Sequence, residues 1–206
     1  LVMPEELTLV EKNETYGKFS LSPMERGYGI TIGHALRRML ISSIQGAAIT
    51  AVKIEDVMHE FATIENVKED VAQIVLNLKK VRFRYNSEEF PQYTILESKG
   101  PKEVKASDIR LTPGLEVSTP DQLIATLEEG AELRATLRVD VGKGFKPKES
   151  FVDSKMAEGT IFIDTNFSPV KRVTYKVNNV RVGQRTDFEE LMMEIWTDGS
   201  IYPDEA

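Results

Sequence analysis

Apolar positions change their period several times along the chain. Lys18 to Ser22 alternates polar and apolar as a half-buried strand does, and after Pro23 the segment ERGYGITIG spaces its glycines ahead of HALRRMLISSIQG. In that second stretch Ile32, Leu36, Met39, Leu40 and Ser43 fall on one stripe at roughly 3.6-residue spacing. The stripe predicts a helix, with Thr31 able to cap its start and Gly46 following its end. The next stretch, AAITAVKIEDVMHEFATIE, is rich in β-branched residues and reads as one or two strands. A second helix is predicted from a capping-box-like start, Asn66 with Glu69, followed by an apolar face of Val67, Val71, Ile74, Val75 and Leu78.

From Val81 to Val141 the pattern alternates repeatedly between turn signals at Asn86-Ser87, Lys99-Gly100-Pro101, Pro113-Gly114 and Glu129-Gly130, which predicts a β-rich lobe. Its clearest strand is ELRATLRVDV, with Leu133, Ala135, Leu137, Val139 and Val141 on one face. A long loop, VGKGFKPKESFVDSKMAEG, leads to a strand at TIFIDT. In the following strand Val173, Tyr175 and Val177 are odd while Val180 and Val182 are even, so a bulge or tight turn is expected at Asn178-Asn179. FEELMMEIWTDG fits either a helix, capped by Thr186 with Glu189, or a strand carrying Met193, Ile195 and Thr197. Pro203-Asp204-Glu205 has the composition of a helix's first turn.

Composition narrows the function classes. The 206 residues are 41% hydrophobic and 29% charged, enough apolar surface to bury a core. With no cysteine there is no disulfide, thiolate metal site or cysteine nucleophile. No run approaches the ~18 apolar residues of a membrane span. The start LVMPEELTLVEKNET lacks the pattern of a signal peptide, so a soluble, cytoplasmic protein without membrane contact is expected. A net charge of −7 disfavours attraction of the whole molecule to nucleic acid. Charge is unevenly placed, however. Val170 to Thr186 holds Lys171, Arg172, Lys176, Arg181 and Arg185 without an acid, and Asp187 to Ala206 holds seven acids without a base. Two solvated faces explain this, and so does a charge-matched partner.

Catalytic motifs are missing. GYGITIG is one residue longer than the dinucleotide fingerprint, and flexible backbone ahead of a helix accounts for it. His59-Glu60 begins like H-E-x-x-H, but Thr63 stands where the second histidine belongs. No nucleophile elbow, Walker A or calcium-loop pattern occurs. The first helix is more informative: with the apolar stripe in front, Arg37 lies on its flank while His34, Arg38, Ile41 and Ser42 point backward at ~100° per residue. Arginines interleaved with isoleucine suit an interface core, and equally a solvated helix back.

The runs ERGYGITIGHALRRMLISSIQGAAITAVKIEDVMHEFATIENVKEDVAQIVLNLKKV and FSPVKRVTYKVNNVRVGQRTDFEELMMEIWTDGSIYPDEA resemble the N-terminal domain of the bacterial DNA-directed RNA polymerase alpha subunit. Together they cover about half of the chain. The resemblance implies an α+β fold in two lobes. A dimerisation lobe of helices packed on an antiparallel sheet takes residues 1–46 plus 160–206, and an inserted β-rich lobe takes residues 47–159. It also implies a non-catalytic assembly scaffold: a homodimer that gathers the beta and beta-prime subunits, which hold the active site and its magnesium. This chain itself would need no cofactor.

Carried onto matching positions, the resemblance makes Arg38 the main contact with beta, with Arg37, His34 and Ile41 beside it. Lys79, Ile163, Asp164 and Ser168 match positions that meet the large subunits. Dimer contacts would come from Ile32, Leu36, Met39, Leu40 and Ser43, residues that are also the predicted core stripe, and from a C-terminal helix. That helix would begin near Pro203 and run past Ala206, with a DNA- and activator-binding domain beyond it. Neither is in this sequence, so a weakened dimer and no direct DNA contact are expected. Transcription activators are candidate partners, although the family's acidic activator loop matches FVDSKMAEG only loosely. Two other classes compete: an enzyme binding phosphate through GYGITIG or VGKGFK, and a DNA-binding module using Lys171 to Arg185.

Overall fold

The structure, a computed structural model, describes Pro4 and residues 7–206. In chain order these run through β1 (Leu7–Lys12), β2 (Tyr16–Met24), α1 (Tyr28–Ser42), β3 (Gln45–Ile54), α2 (Val71–Leu78), β4 (Phe83–Tyr85) and β5 (Gln92–Lys99). Next come β6 (Lys102–Lys105), β7 (Leu115–Val117), β8 (Leu123–Leu127), β9 (Glu132–Lys143) and β10 (Phe145–Lys146). The last strands are β11 (Ile161–Phe162), β12 (Thr165–Asn166), β13 (Val170–Val182) and β14 (Arg185–Thr197). The fold is α+β, and the chain forms two compact units: the segments up to Ile44 and from Ser168 onward make the first, and Gln45–Phe167 makes the second. The second joint thus falls at Phe167/Ser168 and not near Gly159. Residues 160–167 belong to the second unit because Ile161 and Phe162 pair with Val52 and Ala51 of β3 and Ile163 donates its N–H to Thr50 O.

The first unit is an antiparallel sheet in the order β1-β2-β14-β13 with α1 packed on β13 and β14. FEELMMEIWTDG is strand: Leu191, Met193, Ile195 and Thr197 are all buried with a period of two. Phe19, Met24, Val170 and Val173 complete this core with the apolar residues of that row. Burying a Leu, Met or Ile side chain stabilises by about 1.5–3 kcal/mol, so the row holds the sheet to its helix. No turn interrupts β13 at Asn178-Asn179, which pair in register with Glu190 and Glu189. Its irregularities lie between Val170 and Arg172 and between Val180 and Val182. From Asn178 onward the strand is largely exposed, so no buried row has to be kept in phase. Pro203-Asp204-Glu205 closes a single turn, with Glu205 N–H on Tyr202 O.

The second unit is built on a sheet ordered β5-β9-β3-β4-β7, with β11 alongside β3. β9 follows the alternation expected of ELRATLRVDV: Leu133, Ala135, Leu137 and Val139 are buried. The segment after Gly46 contributes one strand, β3, buried from Gly46 to Val52. TIFIDT divides into two short strands, β11 and β12. Helix α2 starts at Val71, four residues later than Val67, because Asn66 adopts a left-handed φ of 58° and Val67 bridges to Leu127. Asp70 is its N-cap, accepting from Gln73 N–H at 2.7 Å, while Glu69 accepts from Thr126 N–H and its hydroxyl.

Candidate functional site

Helix α1 begins three residues ahead of the expected cap. Gly27, at a left-handed φ of 91°, is the N-cap, and Thr31 donates its hydroxyl to Gly27 O at 3.2 Å. The free N–H groups of Gly27 and Gly29 are taken by one side chain, Glu189 of β14, whose Oε1 and Oε2 accept at 3.0 and 2.9 Å. A carboxylate at the positive end of a helix is favourably placed. Two glycines then bring the helix against the sheet. A Cβ on Gly29 would lie 2.7 Å from Val177 Cγ1 and 2.8 Å from Glu189 Oε2, and one on Gly33 would lie 2.6 Å from Tyr175 Cδ2. One turn further, Arg37 Nε donates to Val173 O at 3.1 Å. Leu40, Ile41 and Ile44 finish the packed side.

This orientation differs from the one the hydrophobic stripe implies. Ile32 and Leu40 are half-buried against the core, but Leu36 is 38% and Met39 58% exposed, and Ser43 is exposed as the C-cap. Ile41, expected on the back of the helix, packs on the core. His34 and Arg38 are exposed. At ~100° per residue Arg38 stands roughly opposite the Gly29–Gly33–Leu40 side. Arg37 is tethered to β13 by its Nε.

Leu36 and Leu40 also form one wall of an apolar groove of about 220 Å³. Phe19, Leu21, Leu191, Met193 and Ile195 line it, and Pro203, Asp204 and Ala206 stand at its rim with Leu7. Strand β1 is an outer strand of this sheet and exposes Leu9 and Val10.

The segregated charges are the two arms of one hairpin. Along β13 the Arg172 guanidinium sits 4.7 Å from the Trp196 ring centroid and Arg181 Nε donates to Gly183 O, and at the start of β14 Arg185 pairs with Asp187 at 2.8 Å. Hydrogen bonding to Arg185 holds the Asp187 carboxyl below the usual carboxylate range. On β14, Glu190 accepts from Ser20 Oγ at 2.7 Å and Glu194 from the Tyr16 hydroxyl at 2.6 Å. That bond to Glu194 pushes the Tyr16 phenol up to about 12.

Nor do the glycine motifs form a phosphate cradle. In GYGITIG the Gly27 and Gly29 amides are taken by Glu189 and the Tyr28 amide by Glu25 O, and VGKGFK forms the end of β9 and all of β10, which pairs with β12. His59 is exposed and tilted against Phe61. Among the described residues no group of three or more His, Asp or Glu converges in a way that could hold a metal ion. No helix among them is long and apolar enough to cross a membrane.

Residues 52–168 match the family described as the RNA polymerase Rpb3/RpoA insert domain, a span that coincides closely with the second unit. The chain is 50% identical to the DNA-directed RNA polymerase subunit alpha of Chloroherpeton thalassium, over 99% of this chain and 63% of that protein. It is 48% identical to the subunit of the same name from Thermus aquaticus, over 97% of this chain and 63% of that one. For Symbiobacterium thermophilum the figures are 46%, 98% and 64%. The chain belongs to the RNA polymerase alpha-subunit family. It spans a little over three fifths of the length of these curated relatives.

Within this alpha-family fold the remaining expected residues fare unequally. Lys79 is exposed as the C-cap of α2. Asp164 is half-buried and accepts from Lys148 N–H at 2.8 Å. Ile163 lies in the core of the second unit at 2% exposure, and Ser168 is buried in the first with its hydroxyl on Val170 O. Those two support the fold around them and present little surface to a partner.

Two groups have roles that their sequence context does not reveal. Glu189 continues the row of Leu191, Met193 and Ile195, and an acid in phase with an apolar row was the available signal. In the second unit Arg138 Nε pairs with Asp140 at 3.0 Å, and Thr50 donates to the same carboxylate. Arg138 also donates to Phe151 O at 3.1 Å, fastening the loop after β10.

Proposed function

We propose that this chain is a non-catalytic assembly scaffold of bacterial RNA polymerase, a cytoplasmic subunit that pairs with a second copy of itself and gathers the beta and beta-prime subunits. One observation carries the reading: α1 is fixed to its sheet along a glycine face, which leaves two other faces of the same helix free. Arg38 and His34 stand on one, and Met39 stands exposed on the other, next to Leu36, which lines an apolar groove at the edge of the glycine side. A single rigid element with a basic polar face and an apolar face suits two interfaces at once. Arg38 is the principal contact with beta, with Arg37 and His34 beside it. Exposed Lys79 and half-buried Asp164 are the candidates for contact with the large subunits from the second unit.

The exposed apolar residues Leu36 and Met39 supply the pairing surface in this reading. Isologous pairing uses the same patch on both copies, so each side chain counts twice. Magnesium and nucleotide chemistry belong to the large subunits. The exposed loop carrying Asp153 and Glu158 is offered to transcription activators, and no direct DNA contact is assigned to these residues. Co-expression with tagged beta and beta-prime, followed by sedimentation, tests the proposal. Recovery of two copies of this chain with one of each large subunit is the expected result. A chain that purifies alone and stays monomeric at every concentration would refute it.

A further inference from the structure

We infer that Glu189 is the positioning residue that sets α1, and with it Arg38, in the orientation that meets the large subunit. This rests on the proposed role of α1 in that contact. Glu189 is 7% exposed and lies in the row of β14 that otherwise carries Leu191, Met193 and Ile195 toward the helix. A buried carboxylate in such a row is tolerated only when its oxygens are hydrogen-bonded. Here each oxygen accepts one N–H from the open end of α1, at Gly27 and Gly29.

The register of β14 against β2 shifts between Glu189 and Leu191, where Glu189 still opposes Met24. Such irregularities re-aim side chains, and this one lies at the residue that reaches the helix. The glycines complete the device. At Gly29 a side chain would drive into Glu189 Oε2 and Val177, and at Gly27 the positive φ turns the chain into the helix. Glu189 therefore fixes the first turn of α1, and Arg37 on Val173 O fixes the third, one turn before the helix ends. Arg38 follows Arg37 directly, so its direction in space is set by these two ties. Replacing the carboxylate with an amide puts an NH2 group against one of the two N–H donors, so that one amide loses its acceptor and the helix start is released.

The test measures the affinity of the full-length subunit for purified beta in wild type, Glu189→Gln, Glu189→Asp, Arg38→Ala and the double variant Arg38→Ala with Glu189→Gln. Glu189→Gln is expected to weaken binding about tenfold, and Glu189→Asp, which keeps the charge, to recover part of the loss. Because Glu189 acts through Arg38, the double variant should bind within about twofold of Arg38→Ala alone. Hydrogen exchange on the unsubstituted subunit gives a second reading that needs no variant: the Gly27 and Gly29 amides should be protected. Wild-type affinity in Glu189→Gln beside weakened Arg38→Ala would overturn this inference and leave the proposed function standing. Fully additive losses, or unprotected Gly27 and Gly29 amides, would also overturn it. Wild-type affinity in Arg38→Ala would instead remove the proposed contact itself.

Discussion

Gly33→Ala distinguishes a helix lying tightly on its sheet from one that is loosely apposed, because the two situations give opposite signs. In an exposed helix the substitution stabilises by about 1 kcal/mol, since alanine is the better helix former. At Gly33 the new Cβ would stand 2.6 and 2.8 Å from Tyr175 Cδ2 and Cε2 and 2.9 Å from Leu191 Cδ1, against ordinary carbon contacts of ~3.5–4.0 Å. Neither neighbour can yield freely, as Leu191 is buried in the core and Tyr175 packs against it. Overpacking of this kind costs about 1–3 kcal/mol. The net expectation is a loss of up to about 2 kcal/mol, a drop in the urea midpoint of up to roughly 1 M for a slope near 2 kcal/mol/M. The chain has one tryptophan, Trp196 in β14, so its fluorescence follows the first unit without interference from the second. Wild type and variant must be compared at one protein concentration, since pairing would add to the apparent stability. A raised midpoint in Gly33→Ala would refute the close approach and the orientation of α1 built on it.

The Tyr16 phenol should titrate near pH 12 in an ultraviolet titration, and Glu194→Gln should bring it back toward 10. Because the folded value is raised, the stability contributed by this bond is fully present below pH ~10 and is lost as pH rises toward 12. Stability measured across that window should therefore fall in wild type more than in Glu194→Gln. In the second unit, Arg138→Ala removes the bond to Phe151 O and leaves Asp140 with Thr50 as its remaining partner. An anchor worth about 1–2 kcal/mol changes the open population of the following loop by about 5- to 30-fold, so tryptic cleavage after exposed Lys155 should accelerate by that factor. An unchanged cleavage rate would show that the loop is held elsewhere.

Strands with one buried face were legible because alternation records burial directly: β9 lies where ELRATLRVDV places it. β14 was ambiguous because Phe188, Leu191, Met192 and Ile195 fit a helical stripe as well as Leu191, Met193 and Ile195 fit a strand. Pairing with β2 and β13 on both sides decides between them. The face of α1 was misread for a different reason. Its closest approach to the sheet is at Gly29 and Gly33, and an apolar stripe carries no sign of residues that matter by lacking a side chain. Within the apolar stripe, Ile32 and Leu40 are half-buried on the core while Leu36 and Met39 are exposed. Start positions failed where backbone geometry outweighed side-chain signals, as at Gly27 and Asn66 with their positive φ angles. The joint at Phe167/Ser168 was hidden because β11 and β12 are two residues each and declare themselves only through their pairing. Arg38 and His34 are exposed, as helical spacing from the apolar stripe expects, whereas the burial of Ile163 and Ser168 depends on the tertiary fold.

The affinity of Arg38→Ala for the beta subunit tests the central claim most directly. Guanidinium is a planar fork that can bond several acceptors at an interface, and removing one partner of such a buried arrangement costs ~2–5 kcal/mol. Full-length subunit carrying Arg38→Ala, titrated against purified beta, is predicted to bind at least tenfold more weakly. Arg38→Lys should recover only part of that loss, and the Trp196 unfolding midpoint and the self-association should match wild type, because the side chain is exposed and opposite the packed glycine face. Wild-type affinity in Arg38→Ala would contradict the account, and a large fall in the unfolding midpoint would mean that Arg38 supports the fold and not the contact.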